Sequence, residues 1–147
     1  MIAFNLKTGA QKHGGLNIGL CPGIYEGKQS REKCIYVSEA AFGFLEPDMR
    51  KHSSKFARPY SHWGITEISR DEWQAILRNW NLLRQEFAMA NTIEEICHIH
   101  PVGLDRKDEF GNDFDRNKFA LLKMIDELSD WVSVRLVEND QITVLGI

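Results

Sequence analysis

Apolar residues recur at helical spacing from Trp73 to Phe87. Trp73, Ile76, Leu77, Trp80, Leu83 and Phe87 fall on one stripe, and Asp71, Arg78, Gln85 and Glu86 lie opposite. Just ahead of the stripe, Ser69 and Glu72 form an S-x-x-E capping box, which satisfies two orphan backbone donors and predicts a helix start there. Thr92 and Glu95 repeat the signal before a shorter helix that ends near Ile99, ahead of Pro101. A second long helix is predicted from a cap at Asp113 or Asp115 to about Asp130. Leu121, Leu122, Met124, Ile125, Leu128 and Trp131 cover most of its circumference, so it should be largely enclosed.

Between and around these helices the pattern suits strands. Ile2–Lys7, Leu16–Cys21 and Cys34–Val37 are β-prone, the second bounded by Gly14-Gly15 and Pro22-Gly23. Phe56–Ile68 reads as extended, with Arg58 biased away from helix by Pro59. Ser38 is placed to cap a helix through Ala40, Ala41, Phe44 and Leu45, which Pro47 interrupts or restarts. Val132–Glu138 and Gln141–Ile147 flank Asn139-Asp140 and predict a C-terminal β-hairpin, with Val132, Val134 and Leu136 facing Leu145 and Ile147. Val102–Asn117, rich in charge, is predicted as a loop. The expectation is one α+β domain over residues 1–147: a largely antiparallel sheet with a C-terminal β-hairpin, packed against two long helices. Trp73, Trp80, Leu122, Ile125, Leu128, Val134 and Leu145 should be buried.

Composition narrows the function classes. The chain has 147 residues, 43% hydrophobic and 27% charged, which suits one globular domain able to fold without a metal or disulfide staple. A formal charge of -3 argues against broad binding to nucleic acid or anionic lipid. There is no apolar run long enough for a membrane span and no basic-then-apolar leader at Met1–Leu6. Cys21, Cys34 and Cys97 are odd in number and far apart, so reduced thiols in the cytoplasm are expected.

Candidate chemistry is sparse. Cys97, His98 and His100 are good ligand types for zinc or copper, and a small metal-dependent or hydrolytic enzyme centred on them is the alternative reading. No second ligand cluster stands at a recognisable spacing, and His13, His52 and His62 are isolated. The expectation is therefore no catalytic residue, no metal and no cofactor. Arg50, Lys51, His52, Lys55 and Arg58 form a basic segment without a phosphate loop or an aromatic ladder. Asp105, Asp108, Glu109, Asp113 and Asp115 concentrate carboxylates in one segment but break the spacing of a calcium loop. They are the candidate contact surface for a basic protein partner.

One block carries a family resemblance. Ile35-Tyr36-Val37-Ser38-Glu39-Ala40-Ala41-Phe42-Gly43-Phe44-Leu45-Glu46-Pro47, then Trp63-Gly64-Ile65 and Trp73 with Trp80, resembles small bacterial immunity proteins of contact-dependent inhibition and related polymorphic toxin systems. The likeness spans Cys34 to Phe87 and lies in an extended segment, a Phe-Gly turn and a Trp-bearing helix. It implies a non-enzymatic cytoplasmic protein that binds a cognate toxin, often a nuclease, and blocks it. It carries over no catalytic residue.

Overall fold

The computed structural model describes residues 1–9, 14–52, 59–100 and 104–147. His13, Lys55, Arg58 and the start of the extended stretch from Phe56 lie outside them. In chain order the elements are β1 (Lys7–Thr8), β2 (Asn17–Pro22), α1 (Lys28–Arg31), β3 (Ile35–Ser38), α2 (Glu39–Phe42), α3 (Glu46–His52), β4 (Ile65–Ser69), α4 (Arg70–Met89), α5 (Ile93–Ile99), α6 (Leu104–Gly111), α7 (Phe114–Glu138) and β5 (Gln141–Leu145). The strands form one sheet in the order β1-β3-β2-β5-β4, and every ladder between them is antiparallel.

Period-two burial sets the faces of the sheet. Ile18, Leu20, Ile35, Val37, Thr66, Ile68, Ile142 and Val144 are buried on the inner face. Tyr36, Gly19, Leu145 and Ile65 form one row on the opposite face, matched strand to strand by the register. α4 and α7 close the core. Trp73, Ile76, Trp80 and Phe87 of α4 are buried, as are Leu121, Ile125, Leu128, Val132 and Leu136 of α7. Across their solvent side, Arg84 makes a two-pronged ion pair with Asp126 at 2.6 and 2.9 Å.

The helix starts form as the capping residues direct. Ser69 Oγ accepts from the Glu72 amide at 3.3 Å, and the Glu72 carboxylate accepts from the Ser69 amide at 2.8 Å. Thr92 Oγ1 accepts from the Glu95 amide at 3.2 Å. Ser38 caps α2, and the chain restarts as α3 with Pro47 in its first turn.

Several expectations need correction. The C-terminal hairpin does not form: Val132–Glu138 continues α7, and β5 instead pairs with β2 and β4 in the sheet. Leu128, Val132 and Leu136 stand four apart, so the same residues that alternate also extend the buried helical stripe, and helical packing wins. Val134 accordingly faces solvent at 58% exposure, while Leu122 and Leu145 are half-buried. The Arg70 guanidinium helps end this longer helix, donating to the Leu136 carbonyl at 2.9 Å and the Asn139 carbonyl at 3.1 Å.

The predicted loop Val102–Asn117 contains α6, because Phe110 is fully buried against Phe44 and Phe4. Buried Asn117 ties the end of α6 to α7 by donating to the Phe110 carbonyl at 3.0 Å. Asp113 sits at the N-cap of α7 without a side-chain capping bond. Ile2–Lys7 is a strand only at Lys7; Ile2 and Phe4 insert into the core instead.

Finally, Cys21 and Cys34 are joined in a disulfide rather than reduced, leaving Cys97 free. Leu20 faces Ile35 across the β2–β3 ladder, so the register sets the two buried cysteines side by side. Widely separated in sequence, they are neighbours in the sheet, and thiol spacing alone no longer supports a reducing compartment.

Candidate functional site

The residues expected to carry enzyme chemistry do not converge. On α5 and at its C-cap, Cys97 is half-buried, His98 is exposed and His100 is buried. His100 Nε2 lies 2.8 Å from the Gly43 carbonyl, a tie between α5 and the turn after α2. Among the described residues no group of three His, Cys, Asp or Glu side chains has an arrangement that would hold a metal.

The carboxylate segment becomes helical and mixed in charge. Asp105 lies in the first turn of α6, and Asp108, Asp113 and Asp115 are exposed. Glu109 binds the Met1 amino group at 2.9 Å and Arg106 at 3.4 Å. The bond to the amino terminus, aided by Arg106, holds the Glu109 carboxyl below its usual range. Arg116 stands 4.0 Å from Asp113 and Lys107 3.9 Å from Glu94. Interleaved cations weaken the field that a run of carboxylates alone would project.

Sequence spacing gave no sign of the cluster that the fold assembles around His62. Glu39 opens α2, Glu46 opens α3, and each lies in a first turn where the helix dipole favours a carboxylate. His62 sits in the turn before β4. Its Nδ1 meets Glu46 Oε1, and its Nε2 meets Glu39 Oε1 at 3.0 Å. Tyr60 Oη donates to the same Glu46 oxygen at 2.9 Å. Glu46 is buried and Tyr60 half-buried. With a carboxylate at each ring nitrogen, the imidazole bonds both only as imidazolium. The Glu46 bond raises the His62 pKa against burial, with further help from the Glu46 charge and from Glu39. Burial, then the Glu46 charge, pushes the Tyr60 phenol upward.

The C-terminal residues fix the same turn from the other side. Gly146 donates to the Gly64 carbonyl at 2.7 Å, and Ile147 donates to the His62 carbonyl at 2.9 Å. A Cβ on Gly146 would stand 2.3 Å from the His62 oxygen, so only glycine permits this approach.

Held in this way, His62 supports an exposed aromatic. Trp63 packs edge-on against its ring, with centroids 4.8 Å apart, yet remains 71% exposed. Ile65 follows at 56% exposure, then Glu67 and Ser69, all pointing outward from β4. β4 is the last strand of the sheet among the described residues. Asp71 and Asp140 are exposed near the far end of β4, where Gln141 pairs with Ser69. This edge therefore combines an apolar pair with carboxylates. Trp63 and Ile65 are in the sequence block quoted above, but exposure and edge position are properties of the fold.

The His62 tie has a pH signature. Its raised folded pKa makes its contribution fully present below the unfolded value of about 6.5. The contribution is lost as pH rises through the folded pKa. In urea titrations, the stability gap between wild type and His62→Asn should be widest near about pH 6 and shrink toward about pH 9. A gap that is constant with pH would contradict an imidazolium at this position.

No protein-family model matches the chain, and neither a curated protein nor a solved structure matches it.

Proposed function

We infer that the chain is a non-enzymatic immunity protein that binds a bacterial toxin, a nuclease, and covers its active site. The observation that carries this reading is the exposed run made by Trp63, in the turn before β4, and Ile65 and Glu67 on the edge strand itself. Tryptophan is enriched among residues that dominate binding energy, and one already packed in place loses less freedom on association. A nuclease cleft is basic because it holds a phosphate backbone. Glu67 and Asp71 give the edge the complementary sign, Asp140 being paired with Arg70 at 3.2 Å, and this speeds encounter and favours the right partner. The immunity-protein resemblance from Cys34 to Phe87 points the same way and includes Trp63 and Ile65.

The proposed place of action is the cytoplasm; no helix among the described residues is long and apolar enough to cross a membrane. Cys21 and Cys34 are both fully buried, which shields their disulfide from the glutathione pool of that compartment. Asp105, Asp108, Glu109, Asp113 and Asp115 are the alternative contact region. Hydrogen exchange of the chain, free and mixed with the toxin domain encoded beside its gene, separates the two surfaces. Protection is expected at Trp63–Ser69; protection confined to Asp105–Asp115 would move the interface there.

A further inference from the structure

A second site lies on the other side of His62. α2, α3, the end of α5, α6 and the turn bearing His62 border an open cavity of about 260 Å³ whose lining includes Glu39, Glu46, Arg50, His62, His100 and Arg106. The geometry points to a binding site for a phosphate group, free or at the end of a small ester. This inference does not depend on the toxin reading.

Two guanidinium groups border the cavity, and the carboxylate nearest each has a closer partner. Glu46 already accepts from Tyr60 and His62, which leaves Arg50 at 3.9 Å, beyond hydrogen-bond reach. Glu109 holds the Met1 amino group at 2.9 Å and Arg106 at the longer distance of 3.4 Å. Arg50 is therefore free to turn donors toward an entering oxyanion, Arg106 is held to Glu109 through Nη1 alone and keeps its other N–H groups for it, and a planar guanidinium fork fits two phosphate oxygens.

Glu39 and Glu46 also line the cavity and oppose an anion. Each of them is bonded to the ring of His62, which the paired carboxylates hold as imidazolium. Arg50, Arg106 and His62 together outnumber those two carboxylates, so the charge balance around the cavity is positive. The remaining wall includes Ala40, Phe44 and Pro47 and adds no further charge. The volume admits a phosphate with a small organic group, such as a pentose.

The test is an amide NMR titration of the whole chain with inorganic phosphate and, separately, with ribose 5-phosphate, each against sodium chloride at matched ionic strength. Saturable shifts are expected at Gly43, Phe44, His62 and Arg106. A tighter response to ribose 5-phosphate would identify an ester as the better ligand; an equal response would identify the phosphate group alone. Arg50→Gln with Arg106→Gln should weaken binding at least about tenfold, while Arg78→Gln, on the exposed side of α4, should leave it unchanged. Arg50→Lys with Arg106→Lys keeps the charge, removes the forks and serves as the folded control for the Gln pair. Shifts that never saturate, or that saturate equally in the Gln pair, would overturn the proposal.

Discussion

Trp80→Ala is expected to cost about 3–5 kcal/mol of folding stability, through lost burial and the cavity left behind. The indole is fully buried at the junction of helices and sheet. It meets Trp73 at a centroid distance of 5.7 Å and Phe42 at 6.4 Å, both edge to face. Removing it loosens α4 from α2, and α2 carries Glu39 of the His62 cluster. Trp80 Nε1 is buried with no hydrogen-bond partner among the described residues. Trp80→Phe, which removes that donor and keeps most of the ring, should therefore cost much less than the alanine. Urea titration of the three proteins checks both expectations. An alanine midpoint close to wild type would show that Trp80 does not anchor the core.

Trp63→Ala should leave the fold nearly untouched, since the side chain is 71% exposed. Its expected effect is on the proposed toxin complex: a loss of at least about 30-fold in affinity, mostly as faster dissociation, which is the behaviour of an anchoring aromatic. Glu67→Gln should act differently. An exposed carboxylate steers the approach, so its loss should slow association more at low salt than at high salt. Surface-binding kinetics of wild type and both variants, at two salt concentrations, give the readout. A Trp63→Ala complex that dissociates at the wild-type rate would remove Trp63 from the interface.

Much of the fold was legible in local signals. The capping box at Ser69, the caps at Thr92 and Ser38 and the restart at Pro47 all act within a few residues, and the structure follows them, though the Glu95 carboxylate accepts from the Asn91 amide rather than closing a box on Thr92. The antiparallel α+β architecture follows from strand and helix periodicity in the same way. The failures arose where two periods coexist or where distant residues decide. Val132 to Leu136 alternates like a strand, but Val132 and Leu136 also continue the buried stripe of α7. α6 was hidden by its charges, because the case for it rests on the packing of Phe110 against Phe44 and Phe4. The Cys21–Cys34 pair required the β2–β3 register.

The site was the least legible part. Glu39, Glu46, Tyr60 and His62 stand up to 23 positions apart, and no linear spacing announces them. What brings them together is the start of two short helices meeting a turn that the C-terminal strand holds down. By contrast, Cys97, His98 and His100 are close in sequence but differ in setting: Cys97 is half-buried, His98 is exposed, and His100 is buried and tied to the Gly43 carbonyl. Sequence proximity suggested a centre where the backbone disperses it, and sequence distance concealed one where the backbone builds it.

The most direct measurement of the proposed role is a titration, with this chain, of the nuclease activity of a toxin domain encoded beside its gene. Immunity by active-site cover requires activity to fall linearly and reach zero at one chain per toxin, with Trp63→Ala shifting the curve to higher concentration. Full nuclease activity at a large excess of correctly folded wild-type chain would contradict it.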